Sequence, residues 1–199
     1  MSVRRCFWIV AALTATLPMM PSARAQIPPE LLEGGGGSQG SLYSDAFYKS
    51  ADGFWVLMRS RENNGLRCSV SYIQTDGLYA IQGPDDAAQA AQNAGQIWFS
   101  GKNIPAPTSK VEQVSITINA RGGKTVTYPA ALTKIIPDHG TFVLFLNVKS
   151  YLRTVIKKGE DTDEFTVQYG GRQVYAAKLV QLQKAYSVLE KCMAAGKAS

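Results

Sequence analysis

The stretch Val111-Glu112-Gln113-Val114-Ser115-Ile116-Thr117-Ile118-Asn119 decides the fold class. Val114, Ile116 and Ile118 alternate with Gln113, Ser115 and Thr117. A period of two puts the apolar set on one face of an extended strand and the polar set on the other. Arg121-Gly122-Gly123-Lys124 then supplies a hairpin turn, which leads into Thr125-Val126-Thr127-Tyr128. A half-buried strand followed by a tight return is the signature of an antiparallel sheet.

The same grammar extends in both directions. Upstream, Phe54 to Met58, Arg67 to Ile73, Leu78 to Ile81 and Gln96 to Phe99 are short runs rich in strand formers. Asn63-Asn64-Gly65 and Asp76-Gly77 punctuate them as turns. Downstream, Leu132 to Ile136, Phe142 to Leu146, Phe165 to Tyr169 and Gln173 to Tyr175 read as further strands. Residues 84–94 are rich in Ala and Gln behind Pro84 and Asp85, which suits a short surface helix. Val148, Tyr151, Leu152, Val155 and Ile156 form an amphipathic helical stripe, with Asn147 to cap its start and Gly159 its end. Leu179, Leu182, Tyr186, Leu189 and Cys192 or Met193 form the last stripe. Eight or nine strands with two later helices predict a mainly-β chain with some α, an antiparallel β-sandwich with two marginal helices.

The chain begins with a different kind of segment. Arg4 and Arg5 precede the apolar stretch Phe7 to Leu17, and Ala23-Arg24-Ala25 stands before Gln26. Charge, apolar core and small-residue site together read as a secretory signal peptide over residues 1–25. The apolar stretch is shorter than the ~20 residues of a spanning helix. The expected mature chain therefore starts at Gln26 in the periplasm or outside the cell. Residues 26–53 carry Pro28-Pro29 and Gly34 to Gly37 and read as a Gly/Pro-rich N-terminal segment, with Leu31, Leu32, Leu42, Tyr43 and Phe47 as candidates to tack parts of it onto the domain. Residues 54–199 are the expected single domain.

Loss of Arg4, Arg5 and Arg24 with the leader lowers the formal charge from +6 to +3. That mild excess gives no reason to expect a nucleic-acid partner, and no later segment is long and apolar enough for a transmembrane helix. Cys6 leaves with the leader, so Cys68 and Cys192 remain, an even pair in an oxidising compartment. A Cys68–Cys192 disulfide is expected, with two buried thiols as the alternative. Without a C-x-x-C or a set of metal-ligand spacings, neither redox catalysis, a metal site nor a cofactor is expected.

The order of these pieces resembles that of secreted proteobacterial proteins of the invasion-associated locus B type. The pieces are Phe54-Trp55-Val56, the Cys68 strand, Val114 to Lys124, Phe142 to Leu146, Tyr151 to Gly159 and Phe165 to Leu189. The resemblance spans roughly residues 54–192 as an order of elements, without a shared sequence motif. The Ala/Gln-rich stretch at 84–94, the Gly-rich stretch at 34–40 and the position of Cys192 depart from it. It implies a periplasmic or secreted β-sandwich tied to host interaction or the envelope, with no catalytic residues to carry over.

The candidate sites follow from residue chemistry. Lys149, Arg153, Lys157 and Lys158 lie on the polar side of the first amphipathic helix and are a candidate surface for a protein or anionic envelope partner. Trp55, Tyr79 and Trp98 are candidates to line a ligand cleft, the alternative being core packing. His139, the only histidine, could serve a hydrolase, but no G-x-S-x-G elbow accompanies it and a solvated turn is expected. The acidic loop Gly159 to Glu164 lacks the spacing of an EF-hand and reads as a solvated turn. The leading expectation is a non-enzymatic interaction module; the alternatives are a small-ligand or lipid-binding sandwich and a hydrolase using His139.

Overall fold

The structure, a computed structural model, describes residues 42–62, 65–135 and 139–195. The expected leader and its cleavage site lie outside them. Ten strands and three helices make up the described part. In chain order they are β1 (Leu42–Lys49), β2 (Phe54–Glu62), β3 (Gly65–Gln74), β4 (Gly77–Gln82), α1 (Ala87–Gln92), β5 (Ala94–Gly101), β6 (Val111–Ala120), β7 (Thr125–Thr133), β8 (Thr141–Asn147), α2 (Val148–Lys158), β9 (Thr162–Tyr169), β10 (Arg172–Val180) and α3 (Leu182–Ala195).

All strands join one antiparallel sheet in the order β1-β2-β3-β4-β5-β8-β7-β6-β9-β10. The mainly-β, antiparallel expectation holds. The hydrogen bonding is that of one continuous sheet rather than two separate ones. Only Ala131 to Thr133 of β7 pair with β8, so a ladder of three residue pairs joins the two halves. The halves nevertheless face each other. Phe99 of β5 packs on Phe165 of β9 and Tyr175 of β10, with ring centroids 5.6 and 5.8 Å apart. Trp55 of β2 donates from Nε1 to the Val180 carbonyl at 2.7 Å, tying the end of β10 across to the other half.

The short seam also explains a strand that sequence reasoning divides. Thr125 to Tyr128 and Leu132 to Ile136 are expected as separate strands, but β7 runs through Pro129. Pro129 pairs with Ser115 on β6, and pairing with β8 starts only at Ala131. A proline is tolerated where one edge of its strand is free.

Two further boundaries differ. Residues 42–49, expected within the N-terminal segment, form strand β1, paired with β2 from Leu42↔Ser60 to Lys49↔Phe54. Its alternation is weak, because an edge strand on an exposed border needs little apolar patterning. Leu179 is expected to open the last helix. It lies instead in β10, and α3 starts after Gln181, which takes the left-handed conformation with φ 56°.

The inner face of the sheet carries Trp55, Tyr72, Tyr79, Ile81, Phe99, Phe142 and Leu144, all buried. α3 lays Leu182, Ala185, Tyr186 and Leu189 against this face. Cys192 on α3 bonds to Cys68 on β3 with Cα atoms 6.0 Å apart, the expected disulfide. α2 packs beside α3 through Tyr151 and Tyr186, centroids 6.1 Å apart.

Candidate functional site: the basic groove of α2

α2 is placed by its caps. The Asn147 side chain accepts from the Ser150 backbone N–H at 2.9 Å, and Gly159 closes the helix in the left-handed conformation with φ 70°. Both roles match the expectation from sequence. The Val148 N–H donates to the Asn93 carbonyl at 2.9 Å, and the Asn147 amide donates to the Gln92 carbonyl at 3.2 Å. The end of α1 is thereby fastened to the start of α2. Gly95 lies beneath this junction. A Cβ there would stand 2.6 Å from the Val148 Cβ, so only glycine allows α2 this close to β5.

Val148 and Leu152 are buried under α2. The opposite side holds Lys149, Arg153 and Lys157, four residues apart along the helix. At 1.5 Å per residue their Cα atoms rise by about 6 Å per step. The three line a groove of about 400 Å³ with Asn93, Asn147, Ser150 and Thr154. No carboxylate lines it. Among the described residues, none of the three cations is paired with an acid. Every other polar group in the lining is an amide or a hydroxyl. Thr154 Oγ1 donates to the Ser150 carbonyl at 2.9 Å, so the amides and the Ser150 hydroxyl are the donors left for an oxyanion.

Lys158, grouped with these three on sequence grounds, does not line the groove. It lies near Asp163 of β9, whose carboxyl is pushed above the usual range chiefly by burial, with Glu160 adding to the shift and the Lys158 charge opposing it. The helical pattern therefore gathers the groove's three cations and one bystander. It gives no sign of Asn93, Asn147, Ser150 and Thr154 as lining residues. Asn93 precedes Lys149 by 56 positions and reaches the groove only because β5 and β8 are neighbours.

Trp55, Tyr79 and Trp98 do not share a cleft. Trp55 and Tyr79 are core residues on the inner face, stacked edge to face with centroids 6.3 Å apart. Trp98 is on the outer face, where its Nε1 donates to Gln96 Oε1 at 2.7 Å. There it lines an apolar slot of about 170 Å³ with Met58, Leu78 and Ile135. That is below the ~300 Å³ at which ligand pockets begin.

His139 is half-buried rather than solvated, and its Nε2 is out of solvent without a hydrogen-bond partner among the described residues. Asp138, the carboxylate next to it in sequence, lies outside the described residues. The acidic loop serves α3. Asp161 accepts from the Gln183 N–H at 3.2 Å and from the Gln181 amide at 3.1 Å, and its carbonyl accepts from the Leu182 N–H at 3.2 Å. This satisfies donors at the helix start that would otherwise lack partners. No cluster of three metal-ligating side chains occurs among the described residues.

One constellation has no sequence signal. Tyr79 Oη on β4 stands 3.4 Å from Tyr151 Oη on α2 and 3.3 Å from Tyr186 Oη on α3. Burial pushes all three phenols above the ordinary tyrosine range. They stay protonated and hydrogen-bonded, joining both helices to the sheet behind the basic groove.

Compared with known proteins, the chain matches no protein-family model, no curated protein and no solved structure.

Proposed function

We propose that this protein is a non-enzymatic interaction module of the periplasm or cell exterior, and that it docks an anionic, phosphate-bearing component of the envelope through the α2 groove. The observation that carries this reading is the row Lys149, Arg153 and Lys157 in a concavity without a carboxylate. Three unpaired cations at a fixed spacing raise the local concentration of anions. The groove offers amides and hydroxyls but no aromatic or aliphatic anchor of the kind that dominates protein–protein interfaces. That balance favours a phosphate oxyanion over a protein surface. The leader read at residues 1–25 and the resemblance to invasion-associated locus B-type proteins support an envelope location.

The test uses residues 26–199 and flotation with phosphatidylcholine vesicles, with and without phosphatidylglycerol, at low and high salt. A soluble polyphosphate competitor separates a free phosphate from a membrane headgroup. Each basic residue near an anionic surface contributes about 1 kcal/mol. Lys149→Glu/Arg153→Glu/Lys157→Glu should therefore lower association by about 100-fold or more, and Lys158→Glu much less. Equal binding by the folded triple variant, or equal binding to uncharged vesicles, overturns the proposal. Intact mass of the exported protein checks the location: a chain starting at Gln26 supports it, and one retaining Met1 to Ala25 counts against it.

A further inference from the structure

β10 ends the sheet, and its outer edge pairs with no strand among the described residues. Such an edge presents a row of free N–H and C=O groups. Natural sheets blunt their edges with charged side chains, proline, bulges, inward charge, short length or a covering segment. β10 is nine residues long and has no proline; it carries Arg172 and Lys178 and one register shift between Gln173 and Tyr175, and leaves Val174 to Ala177 uncharged. It is tied across to the other half of the sheet at its far end, where the Val180 carbonyl accepts from Trp55.

Beside residues 173–178 of this strand lies a crevice of about 720 Å³. Its opposite wall is the β3–β4 turn, Gln74 to Gly77, with Ala51 and Asp52 between β1 and β2. An extended strand occupies roughly 160 Å³ per residue, from a rise near 3.4 Å, a strand spacing near 4.8 Å and a sheet depth near 10 Å. The crevice therefore holds about four or five residues of extended chain. Ala176 and Ala177 leave room for a backbone to approach.

Two polar atoms at the crevice are unsatisfied. Tyr175 is 6% exposed, and its Oη is buried without a hydrogen-bond partner. Gln74 Oε1 is likewise buried and unpartnered. A buried polar atom without a partner is unfavourable to the fold. The rim carries Asp52, Asp76 and Glu164. Asp76 is paired with Lys102, which leaves Asp52 and Glu164 against Lys178, an excess of one carboxylate.

We infer that the β10 edge is a docking site for an extended, basic peptide segment of a partner protein, which adds to the sheet as an eleventh strand. Backbone pairing supplies affinity, and the crevice and its acidic rim select the side chains. This site is independent of the α2 groove.

The probes are octapeptides with β-branched residues at alternate positions and Lys, Ser or Glu between them. Each is also made with alternate backbone amides N-methylated. Two-dimensional amide NMR of residues 26–199 reads the site. The Lys series should shift signals of residues 173–178, slow amide exchange along β10 and bind at least tenfold tighter than the Glu series. N-methylation should abolish binding. Ala176→Trp, checked for an unchanged near-ultraviolet spectrum, should weaken binding at least tenfold, and the α2 triple variant should leave it unchanged. If Ala176→Trp fails to fold, N-methylation alone decides. Failure of every octapeptide to bind at 1 mM, equal binding by N-methylated peptides, or shifts elsewhere than β10 overturns the inference.

Discussion

Replacing Cys68 and Cys192 together by alanine removes the disulfide that cross-links α3 to β3. The bond joins residues 124 positions apart. In the chain-entropy model a closed loop of that length restricts the unfolded chain by about 5 kcal/mol at 25 °C. Measured losses on removing a native disulfide run from about 2 to 5 kcal/mol. The double variant keeps the other contacts of α3: Leu182, Ala185, Tyr186 and Leu189 stay buried against the sheet. It should therefore fold, with its stability lowered through the unfolded state. For a domain of this size each kcal/mol moves Tm by about 2–4 °C, so the expected drop is roughly 5–20 °C. Circular dichroism melts of the oxidised protein and the double variant, at equal concentration, give the difference. Amide exchange adds a local reading, because α3 should lose protection before the central strands β3 to β5. A drop below about 2 °C with the native spectrum retained would refute the argument, as would titration of two free thiols in unreduced protein.

Gly95→Ala should lower stability by about 1–3 kcal/mol, the usual cost of overpacking, because its Cβ meets the Gln82 carbonyl and Val148 beneath α2; a melt unchanged within about 1 °C would show that α2 has slack there. Alkaline pH should destabilise the fold. Burial raises the Tyr79, Tyr175 and Tyr186 phenols above the unfolded value near 10, so the unfolded chain releases protons first. The associated stability is full below about pH 10 and is lost above it, by up to about 1.4 kcal/mol per pH unit for each phenol. A pH series of melts with phenolate absorbance should show Tm flat to about pH 9 and falling above about pH 10, with these phenols ionising only on unfolding. A constant Tm up to about pH 11.5 would contradict the burial of this cluster.

The parts of the fold that show in the sequence are those set by local periodicity. The alternation of Val114, Ile116 and Ile118, the caps Asn147 and Gly159, and the stripe ending at Cys192 each need only a few consecutive residues. β1 escapes such a reading because its apolar residues, Leu42, Tyr43, Ala46, Phe47 and Tyr48, come in clusters rather than in alternation, with a register shift between Ala46 and Tyr48. The continuity of β7 through Pro129 escapes it because it depends on where β8 begins to pair, 12 residues downstream of Pro129 at Thr141. Division into two sheets is a reasonable expectation from strand count. Three residue pairs between β7 and β8 are enough to make the sheet one, and no composition signal marks three pairs.

The same distinction separates the two surfaces proposed to bind partners. The cations of α2 recur every four residues on one helix, so helical periodicity alone places them on one side. What periodicity does not give is the absence of acids around them, since Asn93 and Asn147 come together only through pairing of β5 with β8. The aromatic candidates part for a related reason. Trp55, Tyr79 and Trp98 have similar chemistry, but strand parity sends Trp98 to the outer face: Tyr79 pairs with Phe99, and its neighbour Ala80 pairs with Trp98. The β10 edge is harder still to read. No residue in Arg172 to Val180 announces a free edge, because being an edge is a statement about the strand that is absent beside it. It follows from the order β6-β9-β10, in which the last of the described strands joins the sheet beside β9 and meets no other described strand beyond. A docking edge is thus encoded by the topology of the whole sheet, and a helix face by the residues of one helix.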